Sequence, residues 1–194
     1  MPWEKTFDLD EATDKAISVF WKKGYEGTSM ADLTAGMEIN KGSLYNAFGS
    51  KQALFDRALL RYDQQTRAAM LAELATFDDP VAAITELFDR MIDAGCKDQR
   101  NLGCFLINTA QDLPNQTPDV TEIVRTSLAE IEDFLRAMLR RGQKTGQISE
   151  QLDVETTAQS LLAMFAGLRL LSRGAVAPQV LEGVRSGVQQ LLDG

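Results

Sequence analysis

Apolar residues recur every three or four positions along almost the whole chain, and no stretch alternates in twos. That pattern predicts helices throughout and no strand. The first run, Leu9, Ala12, Ala16, Val19 and Phe20, is preceded by Asp8, Asp10 and Glu11, which suit a first helical turn, and is closed by Gly24. A longer run starts at Ser50 and passes through Leu54, Phe55, Ala58, Leu59, Tyr62, Ala69, Met70 and Leu74 to Thr76, with no break before Phe77-Asp-Asp-Pro80. A helix of that length spans about 40 Å and can join two bodies mechanically. Beyond Pro80 the periodicity predicts a helix from Val81 to Ala94, a polar connection from Gly95 to Gly103, and a short apolar helix from Cys104 to Leu113. A long helix follows from Thr117-Pro118 to Gly142. Another is capped by Asp153 and runs through Leu171, and a last one follows Gly174 and Pro178. The fold class is all-α with roughly nine helices, three in an N-terminal head (residues 1–49) and six in a body (residues 50–194). The helix over 50–76 links the two.

The segment from Gly24 to Lys51 has a different texture. Ser29 can cap a helix, and Asp32, three residues on, completes a capping-box pair. Gly36 breaks that helix, and Ile39 plugs the angle to the next. Asn40 caps a second helix beginning at Lys41, Gly49 stops it, and Ser50 caps the one after. Two helices joined by a Gly-containing turn, the second short and carrying Lys, Ser, Tyr and Asn, form a helix-turn-helix. Its second helix has the size to enter a major groove.

Composition narrows the alternatives. The chain has no His, so the usual general base, the commonest metal ligand and a Ser-His-Asp triad are absent. It has no phosphate-binding glycine loop and no CxxC pair. Cys96 and Cys104 are too few for a disulfide framework or a zinc site. Neither an enzyme, a metal nor a cofactor is expected. No run approaches a membrane span, the N-terminal stretch has no apolar signal core, and a cytoplasmic location is expected. The net charge is −8, but residues 1–62 hold eight Lys and Arg against nine Asp and Glu, leaving −7 for the remainder. A weakly basic face can still form from Lys22, Lys23, Lys41 and Lys51 if the fold points them one way. Ordinary solvated lysines are the alternative.

With Gly24-Tyr25, Thr28-Ser29-Met30, Lys41-Gly42-Ser43-Leu44-Tyr45, Phe48, Lys51 and Leu54-Phe55 in register, the chain over about residues 10–60 resembles the TetR family of bacterial transcriptional regulators. The resemblance implies a dimer that binds a palindromic operator on double-stranded DNA and is released by a small-molecule inducer. It implies contacts to DNA from Thr28, Ser29, Lys41, Gly42, Ser43, Tyr45, Asn46 and Lys51. Lys41 can reach a guanine edge or a phosphate, and Asn46 is a candidate adenine reader. Gly42 lets backbone approach closely. Ser43 can donate to a phosphate or a base. Tyr45 matches the family tyrosine that meets a phosphate, and Lys51 sits at a helix N-terminus that favours phosphate. Capping alone would also explain Thr28 and Ser29. The turn departs from the family pattern at Glu38, which puts an anion near the DNA.

For the body, the expected ligand cavity is lined by Met70, Phe88, Met91, Cys104, Asn108, Phe134 and Met138, although Met and Phe at helical spacing also serve as plain core. Asn108 stands out, because an amide on an apolar helix needs a partner or a ligand. The expected dimer interface is a four-helix bundle built on Leu161, Phe165, Leu168, Val180, Val184, Val188 and Leu191, the alternative being that these stripes pack on their own body. A second functional reading keeps the same head but makes Cys104, alone or with Cys96, a thiol sensor of oxidants or electrophiles.

Overall fold

The computed structural model describes residues 7–193; the first six residues, part of the stretch read for a signal segment, lie outside the described residues. The chain is all-α, and most helices begin at a side-chain cap. Asp8 opens α1 (Leu9–Lys23) by accepting from the N–H groups of Asp10 and Glu11 at 2.7 and 2.9 Å. Ser29 and Asp32 close a full capping box at the start of α2 (Met30–Met37). Asn40 caps α3 (Lys41–Phe48), and Ser50 caps α4 (Lys51–Asp63). Asp79, followed by a proline in the first turn, opens α6 (Pro80–Lys97). Thr117 opens α8 (Pro118–Thr145), and Asp153 opens α9 (Val154–Leu171). Between α6 and α8 lie the short α7 (Phe105–Ala110) and a 3-10 turn (Leu113–Asn115). The last helix is α10 (Pro178–Asp193). No helix among the described residues is long and apolar enough to cross a membrane.

The linking helix is not uniform. After α4, a π-helical turn (Gln64–Ala68) leads without a break into α5 (Ala69–Leu74). This turn carries Arg67 inward, where its guanidinium forks onto Asp63 and reaches Glu130 of α8 at 2.7 Å. The expected single α-helix is thus a rod with a wider turn in its middle.

Three glycines expected to end or interrupt helices lie inside them. A methyl group at Gly36 would stand 2.3 Å from Val19 Cγ2 of α1, and one at Gly95 2.8 Å from Ser172 Cβ. At Gly142 it would stand 2.6 Å from Ile148 Cδ1. These glycines admit a neighbour rather than stop a helix. The true stops are Glu38 and Gly146, both in the left-handed region.

Side chains pack into two clusters. One joins α1–α4 with α7 and the first turns of α8, through Phe20, Leu33, Leu44, Phe55, Phe105 and Val124. The other joins α5, α6, the later turns of α8, α9 and α10, through Leu74, Ile84, Phe88, Leu135, Phe165 and Leu181. Phe105 of α7 stands edge-on to both Phe55 and Tyr62, each with ring centres 5.6 Å apart. Helix α7 is thereby fitted against rings of α4 that on their other side meet Phe20 and Trp21 of the head. On the solvent side, Arg61 forks onto Asp14 and Arg57 reaches Asp10, so α4 is tied to α1.

Candidate nucleic-acid interface

The turn between α2 and α3 is built from the inside. Leu33, Met37 and Leu44 are buried, and half-buried Ile39 packs against them. Glu38 adopts φ 58°, unusual without glycine, and its N–H bonds to the Thr34 carbonyl. Its carboxylate pairs with Lys15 of α1, which holds it below the usual range. The anion expected to face DNA is therefore neutralised within the head. Lys23 does the same to Asp32, whose carboxyl is driven far down by Lys23 first and then by the Ser29 backbone and hydroxyl.

Helix α3 is two-faced. Ser43, Leu44 and Phe48 are buried, whereas Lys41, Gly42, Tyr45 and Asn46 face solvent, with Tyr45 42% exposed. Positions 41, 42, 45 and 46 share one side of a 3.6-residue helix, so they form a single stripe. Lys41 Nζ lies 5.9 Å over the Tyr45 ring. A side chain at Gly42 would press on Asn40 Oδ1 at 3.3 Å, the atom that caps the helix by accepting from Ser43 N. Lys51, in the first turn of α4, stands with its ammonium 4.2 Å over the Tyr25 ring. Lys22, Lys41 and Lys51 form no ion pair among the described residues. Of the expected basic face, Lys23 alone is in an ion pair among the described residues.

Thr28 departs from expectation. It is 1% exposed, and its hydroxyl donates to the Gly24 carbonyl at 2.6 Å, so it fastens the loop before α2 instead of facing outward. Ser29 is exposed, but its hydroxyl is committed to Asp32. Ser43 is buried with its backbone N–H spent on the Asn40 cap.

The expected ligand-cavity residues are divided between the two clusters. Phe88, Phe134 and Met138 are buried in the body cluster, with Met70 and Met91 packed against it. Cys104 belongs to the other cluster, where the Tyr62 hydroxyl donates to its Sγ at 3.7 Å. Burial, and next to it the Cys104 sulfur, push the Tyr62 hydroxyl pKa well up. Asn108 lines a cavity of about 280 Å³ between head and body. The seven therefore do not line one common cavity, because α7 turns its side chains to the head and not to the body core.

The expected dimer stripe also needs correction. Leu161, Phe165, Leu168 and Val188 are buried in their own body cluster, and Val184 and Leu191 pack against it. Only Val180 is exposed, at 50%. The periodicity marks the face that meets the chain's own core; the outward face lies one position round.

A hub missing from the sequence reading sits at Leu102-Gly103. The Leu102 carbonyl accepts from Trp21 Nε1 of α1 at 3.1 Å and from Asn108 Nδ2 at 2.8 Å. The Gly103 carbonyl accepts from Arg169 Nη2 of α9 at 3.1 Å. Asp98 folds the strap by accepting from the Leu102 and Gly103 N–H groups. No periodicity signals such backbone acceptors.

Comparison with known proteins agrees with this architecture. Residues 12–58 match the family described as bacterial regulatory proteins, tetR family, and residues 80–188 match the tetracyclin repressor-like C-terminal domain. The HTH-type transcriptional repressor ComR of Escherichia coli (strain K12) is 31% identical over 170 residues, covering 87% of this chain and 81% of ComR. The HTH-type transcriptional repressor DhaR of Mycobacterium sp. (strain GP1) is 29% identical, covering 92% of this chain and 85% of DhaR. Among solved structures, a cysteine variant of the regulator CifR, in complex with 26-bp double-strand operator DNA, is 30% identical with a TM-score of 0.81 over 98% of each chain.

Proposed function

The chain belongs to the TetR family of bacterial regulatory proteins and is a DNA-binding transcriptional regulator rather than an enzyme; on that premise we propose that it is a cytoplasmic repressor that grips a palindromic operator as a homodimer and is released by a small molecule. The observation that carries this reading is the outward stripe of Lys41, Gly42, Tyr45 and Asn46 on a helix whose other side is locked in the core. The DNA-binding unit comprises residues 1–49 and the ligand-binding and dimerisation unit residues 50–194, with α4 as the shared strut. Lys41 and Asn46 read base edges, Tyr45 and Lys51 meet phosphates, and Ser29 meets one only when its hydroxyl leaves Asp32. Ser43 acts through the cap of α3. One recognition helix reads too few bases to be specific alone, so two heads must take two half-sites about one helical turn apart. The complex of CifR with double-strand operator DNA supports DNA binding by this fold.

Footprinting on the DNA upstream of the chain's own gene tests the reading. Symmetric protection of two half-sites is expected, and protection of a single half-site would sink the dimer geometry. Lys51→Ala is expected to weaken binding to all sequences alike and to reduce the salt slope by about 1. A changed base preference in that variant would overturn the phosphate role.

A second reading is favoured by one contact. The Cys104 thiol is buried and takes the Tyr62 hydroxyl at 3.7 Å, beside the Leu102-Gly103 hub that holds Trp21. In this reading the thiol adds across the activated C=C bond of an unsaturated carbonyl compound: the C–S bond forms as the π bond breaks, the thiol proton ends on the neighbouring carbon, the adduct swells the site, and the hub shifts. Cys104→Ser separates the two. Release by a reversible apolar compound is expected to survive the substitution, because buried thiols in apolar surroundings are usually inert. Loss of release by every inducer would establish covalent sensing instead.

A further inference from the structure

We infer that the cavity between head and body binds a small phenol, and that filling it is the signal that frees the head. This deepens the ligand-released reading and rests on it. The cavity, about 280 Å³, is walled by Phe20, Trp21 and Tyr25 from the head, Phe55 from α4, and Phe105 and Asn108 from α7. Its size lies just below the range of drug-sized pockets, which suits a single substituted ring. Phe20, Phe55 and Phe105 are buried behind this wall, and half-buried Trp21 and Tyr25 are the rings with surface left for another ring.

Asn108 supplies the polar anchor. Its Nδ2 donates to the Leu102 carbonyl, but its Oδ1 is buried with no hydrogen-bond partner. A buried acceptor left unmet is costly, so a ligand donor that reaches it is rewarded. A neutral hydroxyl suits this place, because it can donate to Oδ1 and adds no charge to walls where Lys22 and Arg173 are matched by Glu26 and Asp112, Lys23 being paired with Asp32.

The geometry also couples the site to the head. Oδ1 is shielded, so a ligand reaches it only when Asn108 swings or the walls part. Asn108 and Trp21 share one acceptor, the Leu102 carbonyl. Turning Asn108 toward a ligand takes one of the two donors from the carbonyl that also accepts from Trp21, one of the contacts of α1 with the body. The ligand thus prefers the arrangement in which the head has moved, which is the differential affinity that release requires.

The test titrates 4-chlorophenol and its isostere 4-chlorotoluene, by calorimetry, into the full chain. The phenol is expected to bind about tenfold or more tightly than the toluene. Asn108→Leu, its fold checked by circular dichroism, should erase that preference, whereas Asn108→Asp, which keeps an acceptor, should retain it. Equal binding of both compounds, or an unchanged preference in Asn108→Leu, overturns the site. In a second arm, 4-chlorophenol is added to the chain on a palindrome selected from random DNA. Affinity for that DNA is expected to fall about 5- to 150-fold. Binding of the phenol without release overturns the signalling half, while failure to select any palindrome overturns the operator reading and leaves the site to the calorimetry.

Discussion

A chain carrying Leu170→Asp and Val180→Asp is expected to fold, sediment as a monomer and bind operator roughly 10²- to 10⁴-fold more weakly than the parent. Leu170 and Val180 are 41% and 50% exposed on α9 and α10, so the new carboxylates reach water and leave no cavity. Around them the surface is shaped for close approach. On α9, Ala163, Gly167 and Leu170 fall on one stripe; on α10, Val180, Gly183 and Val184 do the same. A methyl group added at Gly167 or Gly183 would meet nothing within 4 Å in the same chain, so both backbones are bare toward the outside. A two-fold axis would pair each stripe with its own copy and make a four-helix bundle. Two carboxylates per chain would then meet their equivalents across the axis in a desolvated patch, where like charges repel strongly. The loss in DNA affinity follows because the second half-site is no longer delivered at high effective concentration. Phe165→Asp is a poor substitute, since that ring is buried in the chain's own core and a charge there unfolds the protein. Sedimentation velocity and fluorescence anisotropy on labelled operator check the result. A double variant that remains dimeric places the interface elsewhere. A monomer with parental affinity refutes two-half-site binding.

What the sequence made legible was the local chemistry of helix starts. Ser29, Asn40, Ser50 and Asp153, read as caps, accept from first-turn N–H groups in the structure, while Asp8, read only as an acidic first-turn residue, is itself the cap of α1. A cap is a contact within a few residues, so sequence spacing encodes it. Glycine is different because the same residue serves two opposite ends. Gly24 and Gly49, at φ 71° and 79°, end helices through backbone freedom. Gly36, Gly95 and Gly142 sit inside helices because another element needs the space of the missing side chain. Which role applies depends on residues such as Val19, Ser172 and Ile148, and in the first two cases these lie on a distant element. The dimer stripe was ambiguous in the sequence for a related reason. Periodicity shows that Leu161, Phe165 and Leu168 need burial, but not whether their own chain or a copy supplies it. The supposed common cavity failed because α7 directs Cys104 to the head cluster while Phe88 and Met138 stay in the body. In the head, by contrast, the stripe of Lys41, Tyr45 and Asn46 was legible, because polar residues with no local structural task point outward by default.

Gly142→Val gives the sharpest measure of that glycine argument. Helix propensity alone predicts a modest gain, since glycine inside a helix costs about 1 kcal/mol relative to alanine. The structure predicts the opposite sign. A Cβ at position 142 would lie 2.6 Å from Ile148 Cδ1, 2.7 Å from Cγ1 and 3.3 Å from Cβ. Rotating Ile148 cannot clear all three atoms, because its own Cβ is among them. Nor can Ile148 move away freely. It is buried in the body cluster, and its N–H is held by the Gly142 carbonyl at 3.2 Å. The turn after α8 is fastened to the helix at the very residue being enlarged. Overpacking of this kind costs about 3 kcal/mol, the upper end of its usual range, with two further methyl groups to place. For a chain of this size that lowers Tm by roughly 6–12 °C. Ile148→Ala alone should also destabilise, by opening a cavity of its own. The pair should be less harmful than the sum of its parts, by about 1 kcal/mol or more, since each change relieves the other. Strictly additive losses, measured by denaturant titration, would mean that the two side chains do not compete for the same space.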